Sequence, residues 1–118
     1  MRDFKKLDIW RNGIEIVKTV YIISQQLPSE EKFGLKSQIT RAAVSIPSNI
    51  AEGCSRNSEI EFKRFLEIAL GSLFEIETQL IISNELGYIS AQNFKTLSES
   101  LEKEAKMINS LISKIKNS

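Results

Sequence analysis

The residues of this chain that could do chemistry are few, and their spacing keeps them apart. Glu75 and Glu77 are close in sequence. Two positions apart on a helix they point in different directions, whereas acid–base catalysis requires a convergent pair. They read as solvated or interface carboxylates. Cys54 lies beside Gly53 and near Arg56, a cation able to lower a thiol pKa. With no resolving cysteine and no activating base, it reads as unreactive. Histidine is absent, which removes Ser-His and Cys-His nucleophiles, imidazole catalysis, common zinc sites and the Glu-x-x-His ligand set of di-iron bundles. The glycines form neither a P-loop nor a dinucleotide-binding pattern. The expectation is therefore no enzyme, no metal and no cofactor.

The elements that carry these residues are helical. An apolar fraction of 42% and a charged fraction of 26% describe an ordinary globular chain, and 118 residues fit one domain, 1–118. The single cysteine suits a reducing cytoplasm, which is the expected location. The start, Met1 to Trp10, is studded with charges and lacks the apolar core of a secretory signal. No apolar run approaches the ~20 residues that span a bilayer, so no membrane association is expected.

The first helix reads from about Leu7 to Leu27, with Leu7, Trp10, Ile14, Val17 and Tyr21 on one face; Pro28 ends it. The second runs from about Gly34 to Gly53, with a stripe of Leu35, Ile39, Ala42, Ile46 and Ile50 and with Gly53 as a C-cap. Pro47 falls inside it and is expected to kink it. Ser45, Ser48 and Asn49 surround that proline, placed to satisfy the carbonyl that loses its N–H partner. The third helix opens on a capping box, Ser58 with Glu61, and stops at Gly87. The fourth opens on Ser90 and runs to near Lys116, with Phe94, Leu101, Ile108 and Ile115 at seven-residue spacing and Glu104 interrupting the second seam position. Four helices of similar length and short connections predict an all-α, antiparallel up-down four-helix bundle.

Two surface features remain. Ile9, Ile16, Val20 and Ile23 form a second apolar stripe on the first helix, and Leu70, Phe74 and Ile81 widen the apolar arc of the third. Aligned stripes beyond the core face predict a homo-oligomer. Charge total is uninformative, at 16 Lys and Arg against 15 Asp and Glu, but charge placement is not. An up-down bundle brings Lys5, Lys6, Arg11, Arg56, Lys63, Arg64, Lys114 and Lys116, together with Arg2, to one end. Asp3, Asp8, Glu52, Glu59 and Glu61 temper them there. RNA or DNA is the partner such an end would take; another protein is the alternative.

The run Arg41-Ala42-Ala43-Val44-Ser45-Ile46-Pro47-Ser48-Asn49-Ile50-Ala51-Glu52-Gly53 resembles the signature of bacterial four-helix-bundle proteins named for intervening sequences in 23S ribosomal RNA genes. Phe65-Leu66, Ala69, Gly71-Ser72-Leu73, Glu75 with Glu77, Gln79-Leu80, the Leu86-to-Ile89 turn, Leu7 and Trp10 are further matches. The resemblance implies an antiparallel four-helix bundle and a homopentamer. It also implies kinship with the accessory protein of diversity-generating retroelements, which binds nucleic acid and works with a reverse transcriptase. Those nucleic-acid-binding relatives are strongly basic, and this chain departs from them in being almost neutral.

Overall fold

A computed structural model describes residues 2–116. A 3-10 turn at Phe4–Lys6 leads into α1 (Asp8–Ser24), and a second at Ser29–Glu31 precedes α2 (Leu35–Cys54); α3 (Glu59–Glu85) and α4 (Ala91–Lys116) complete the chain. Each helix packs on two others, α1 on α2 and α4, α3 on α2 and α4, and among the described residues no diagonal pair of helices comes as close. The result is an antiparallel four-helix bundle measuring 45 × 23 × 20 Å. No described helix is long and apolar enough to cross a membrane.

The helix boundaries follow local chemistry. Ser58 Oγ accepts the Glu61 amide at 3.1 Å. The Glu61 carboxylate turns to the Ser58 hydroxyl, 3.3 Å away, rather than to the Ser58 backbone, so only half of the capping box forms. Ser90 Oγ caps α4 by accepting the Asn93 amide at 3.1 Å. Gly87 takes a φ of +73° after α3, the left-handed stop that glycine accommodates without strain. Gly53 differs from expectation. It is helical, and α2 continues through it to Cys54. Glycine is needed there because a Cβ would lie 2.8 Å from Phe65 Cβ and 3.1 Å from Phe62 Cδ1.

Helix α2 is unbroken across Pro47, which is buried against α1. The flanking side chains brace carbonyls other than the one the proline frees, which belongs to Ala43 four residues back. Ser45 Oγ donates to Ala42 O at 2.7 Å and Asn49 Nδ2 donates to Ser45 O at 2.8 Å. Ser48 is exposed.

The two stripes of α1 exchange roles. Ile9, Ile16, Val20 and Ile23 are buried in the core of the chain, where they were expected on its surface. Leu7, Trp10 and Val17 pack half-buried at its edge, and Tyr21 is exposed. Both stripes have helical spacing, so periodicity alone does not choose between them. Gly13 does. It shares the inner face with Ile16 and Val20 and admits Ile46 and Pro47 so closely that a Cβ would touch both at 3.4–3.5 Å. The core is completed by Ile39, Ile46 and Ile50 of α2, Phe62, Leu66, Leu73, Ile76 and Leu80 of α3, and Leu97, Leu101 and Ile108 of α4.

Candidate nucleic-acid interface

The basic end is assembled from segments far apart in sequence. Arg2 makes a forked pair with the Glu59 carboxylate at 2.6 and 2.8 Å, and its guanidinium lies 4.0 Å from the centre of the Phe62 ring. That pair pins the start of the chain to the start of α3. The hydrogen bond to Glu59 raises the Arg2 pKa, and the same bond holds the Glu59 carboxyl below its ordinary range. Asp3 caps the 3-10 turn by accepting the Lys5 amide at 3.1 Å. The turn also packs on α2, and Arg2, Phe4 and Lys5 share a small groove with Ala51, Cys54 and Ser55. On the other flank, Leu7, Asp8 and Ile9 line a groove with Lys106, Ser110 and Lys114, which sets the end of α4 beside the start of α1.

Within this end the cations divide into two groups. Arg11 Nε donates to the Lys5 carbonyl at 3.0 Å. Arg56 pairs with Glu52 at 3.4 Å and stacks over Phe65 at 4.9 Å. These two, with Arg2, are engaged in holding the end together. Lys5, Lys6, Lys63, Arg64, Lys114 and Lys116 have no ion-pair partner among the described residues, and all but the half-buried Lys63 are exposed. Of the acids expected to temper them, Asp3, Glu52, Glu59 and Glu61 are each bound to a named partner nearby. The two ion pairs remove charges of either sign equally, so the excess of cations that the residue count gives falls on the lysines and Arg64.

The other expected site residues separate. Leu70 is half-buried, while Phe74 and Ile81 are 53% and 45% exposed on the outer side of α3. Ile9, Ile16, Val20 and Ile23 are core residues and leave the set of surface positions. Cys54 is buried, and burial pushes its thiol up, with Arg2 rather than Arg56 the cation that opposes the shift. It is a poor nucleophile in that setting. Among the described residues no group of three or more acidic or cysteine side chains is placed to hold a metal ion.

Two features were not read from the sequence as sites. Glu104 is fully buried beneath α1, where Asn12 Nδ2 donates to its Oε1 at 3.0 Å and its Oε2 has no hydrogen-bond partner among the described residues. Its interruption of an otherwise apolar seam was the available signal. Phe33 is 87% exposed in the connection before α2; no spacing rule marks a lone loop aromatic.

No curated protein matches the sequence. A crystal structure of a protein of unknown function from the S23 ribosomal protein family of Bacteroides thetaiotaomicron VPI-5482 is similar, with a TM-score of 0.81 and 26% identity over 88% of this chain and 97% of that one. The profile of the 23S rRNA-intervening sequence proteins matches residues 5–110, nearly the whole bundle, and the chain belongs to that family.

Proposed function

We propose that this chain is a non-catalytic, self-associating bundle that binds the phosphate backbone of RNA or DNA through its basic end. The observation that carries the reading is the gathering of Lys5, Lys6, Lys63, Arg64, Lys114 and Lys116 at one end, without ion-pair partners among the described residues, while Glu59 and Glu52 are paired with Arg2 and Arg56. Unpaired ammonium and guanidinium groups neutralise phosphates and release counterions, which supplies affinity without sequence preference. Self-association rests on Phe74 and Ile81, which lie at helical spacing on the exposed side of α3 with Leu70 beside them. Copies joined there would present the basic end several times over, so weak sites gain avidity. Fluorescence anisotropy with a blunt RNA duplex at low salt tests the reading: wild type binds, and a Lys5→Glu, Lys6→Glu, Lys63→Glu, Arg64→Glu variant does not.

A protein partner is the second reading. Ile68 and Ile82 of α3 and Leu86 just after it are exposed away from the Phe74 side, and an adaptor would use such a surface. Duplex that stays unbound by a folded, assembled wild type favours it.

A further inference from the structure

The bundle end opposite the basic cluster carries an arrangement that the fold does not require. Phe33 is the most exposed large apolar side chain among those described. Beside it lies an open groove of about 470 Å3, within the ~300–1,000 Å3 range of small-ligand sites. Tyr21 of α1, Gln25 just after it, Lys32 and Phe33 of the connection, and Lys36 and Ser37 of α2 form its walls. Tyr21 is itself 49% exposed. No carboxylate among the described residues lines the groove. The nearest acids in sequence lie outside this lining: Glu31 Oε1 accepts the Leu35 amide at 3.1 Å, and Glu30 accepts the Ser29 hydroxyl at 3.4 Å. Lys32 and Lys36 have no ion-pair partner among the described residues, and Lys32 Nζ stands 5.4 Å from the centre of the Phe33 ring.

Two exposed aromatic rings flanked by ammonium groups without an ion-pair partner among the described residues form a recognition surface for a flat π-system that carries negative charge. Bases stack on aromatic faces, and the adjoining phosphate meets the cation. We propose that this groove binds an unpaired nucleobase together with its phosphate, as a free nucleotide or within a single strand. A stacking platform has no use for a fully paired duplex, whose base faces are covered. The site is thus distinct in chemistry as well as position from the basic end, and it stands independently of the function proposed there.

The test uses a single-stranded oligonucleotide with 2-aminopurine among thymidines, the blunt duplex of the same length, and adenosine monophosphate as competitor. Stacking on Phe33 quenches 2-aminopurine fluorescence when the strand binds. Phe33→Ala and Phe33→Leu should each weaken single-strand binding about five- to a hundredfold, as loss of one stacked base does. Phe33→Tyr should retain it, and all three should keep wild-type helicity and duplex affinity. The glutamate variant of the basic end should keep the quench, so failure at one end is separable from failure at the other. Competition by adenosine monophosphate assigns the site to free nucleotides, and its absence beside strand binding assigns it to strands; either outcome supports the shared chemistry. Absence of quenching with wild type overturns the proposal, as does Phe33→Ala binding like wild type. Full single-strand binding by Phe33→Leu overturns it too, because no aromatic ring is then needed.

Discussion

Glu104 places a carboxyl group with no accessible surface between α1 and α4, against Asn12 and the backbone of Gly13. Asn12 also donates to Ser100 O at 3.4 Å, so one amide spans both groups on α4. Burial disfavours the charged form and raises the Glu104 pKa to about 7; the Asn12 hydrogen bond and the nearby Lys103 charge oppose the shift but do not cancel it. The folded chain therefore holds a proton that the unfolded chain releases at the ordinary carboxylate pKa. Below about pH 4.5 the group has no effect on stability; between there and about pH 7 stability falls as the unfolded state ionises first. The full loss, about 3 kcal/mol, is reached above pH 7. Glu104→Gln keeps the shape and removes the titration. Urea unfolding should find the variant close to wild type at pH 4.5 and more stable by about 2–3 kcal/mol at pH 8. Equal stability of the two at pH 8 would show that the carboxylate is solvated in the folded state.

At the scale of elements, the α2–α3 contact depends on close approach. Gly53→Ala would improve intrinsic helix propensity by about 1 kcal/mol, yet the new Cβ meets Phe65 Cβ, which is fixed to the backbone and cannot swing away. Overpacking should win and destabilise the fold by about 1–3 kcal/mol in chemical denaturation; a gain in stability would mean that the helices stand further apart than described. Pro47→Ala restores a possible hydrogen bond to the Ala43 carbonyl, worth about 1 kcal/mol, while removing part of a buried ring. Circular dichroism should show unchanged helicity and a midpoint shifted by no more than about 1–2 kcal/mol either way; loss of assembly with the fold intact would give the proline a role beyond α2. The existence and order of the four helices were legible from apolar spacing, and the start and stop of α3 and the start of α4 from Ser58, Gly87 and Ser90, because those signals are local. The inner face of α1 was not, because Ile16 and Val17 each belong to a credible stripe and the choice is made by Gly13 meeting Ile46 and Pro47 across the bundle. Gly53 was misread for the same reason: its contact with Phe65 is tertiary.

At the scale of the whole molecule, the exchange of stripes changes what a surface experiment should show. Ile16→Glu places a charge in a site with no accessible surface and should unfold the chain rather than dissociate an assembly. Phe74→Glu with Ile81→Glu, both exposed, should keep wild-type helicity and reduce the particle to monomer in multi-angle light scattering. A wild type that is already monomeric at tens of micromolar contradicts the proposed self-association. The basic end was legible in part. Helix order alone brought its segments together, but the engagement of Arg2 by Glu59 and of Arg56 by Glu52 depends on side-chain geometry that spacing does not encode.

The dependence of duplex binding on salt separates contact with phosphates from any other mode of binding. Each cation that neutralises a phosphate contributes about one unit to the slope of log K against log salt concentration. Anisotropy titrations of wild type across a salt series should give a steep negative slope with little preference among duplex sequences. Single substitutions Lys6→Gln, Lys63→Gln and Arg64→Gln should each make the slope shallower by about one unit, while Lys32→Gln at the opposite end leaves it unchanged. Binding that is absent at low salt, or a slope indifferent to all four substitutions, would contradict the assignment of the basic end to nucleic acid.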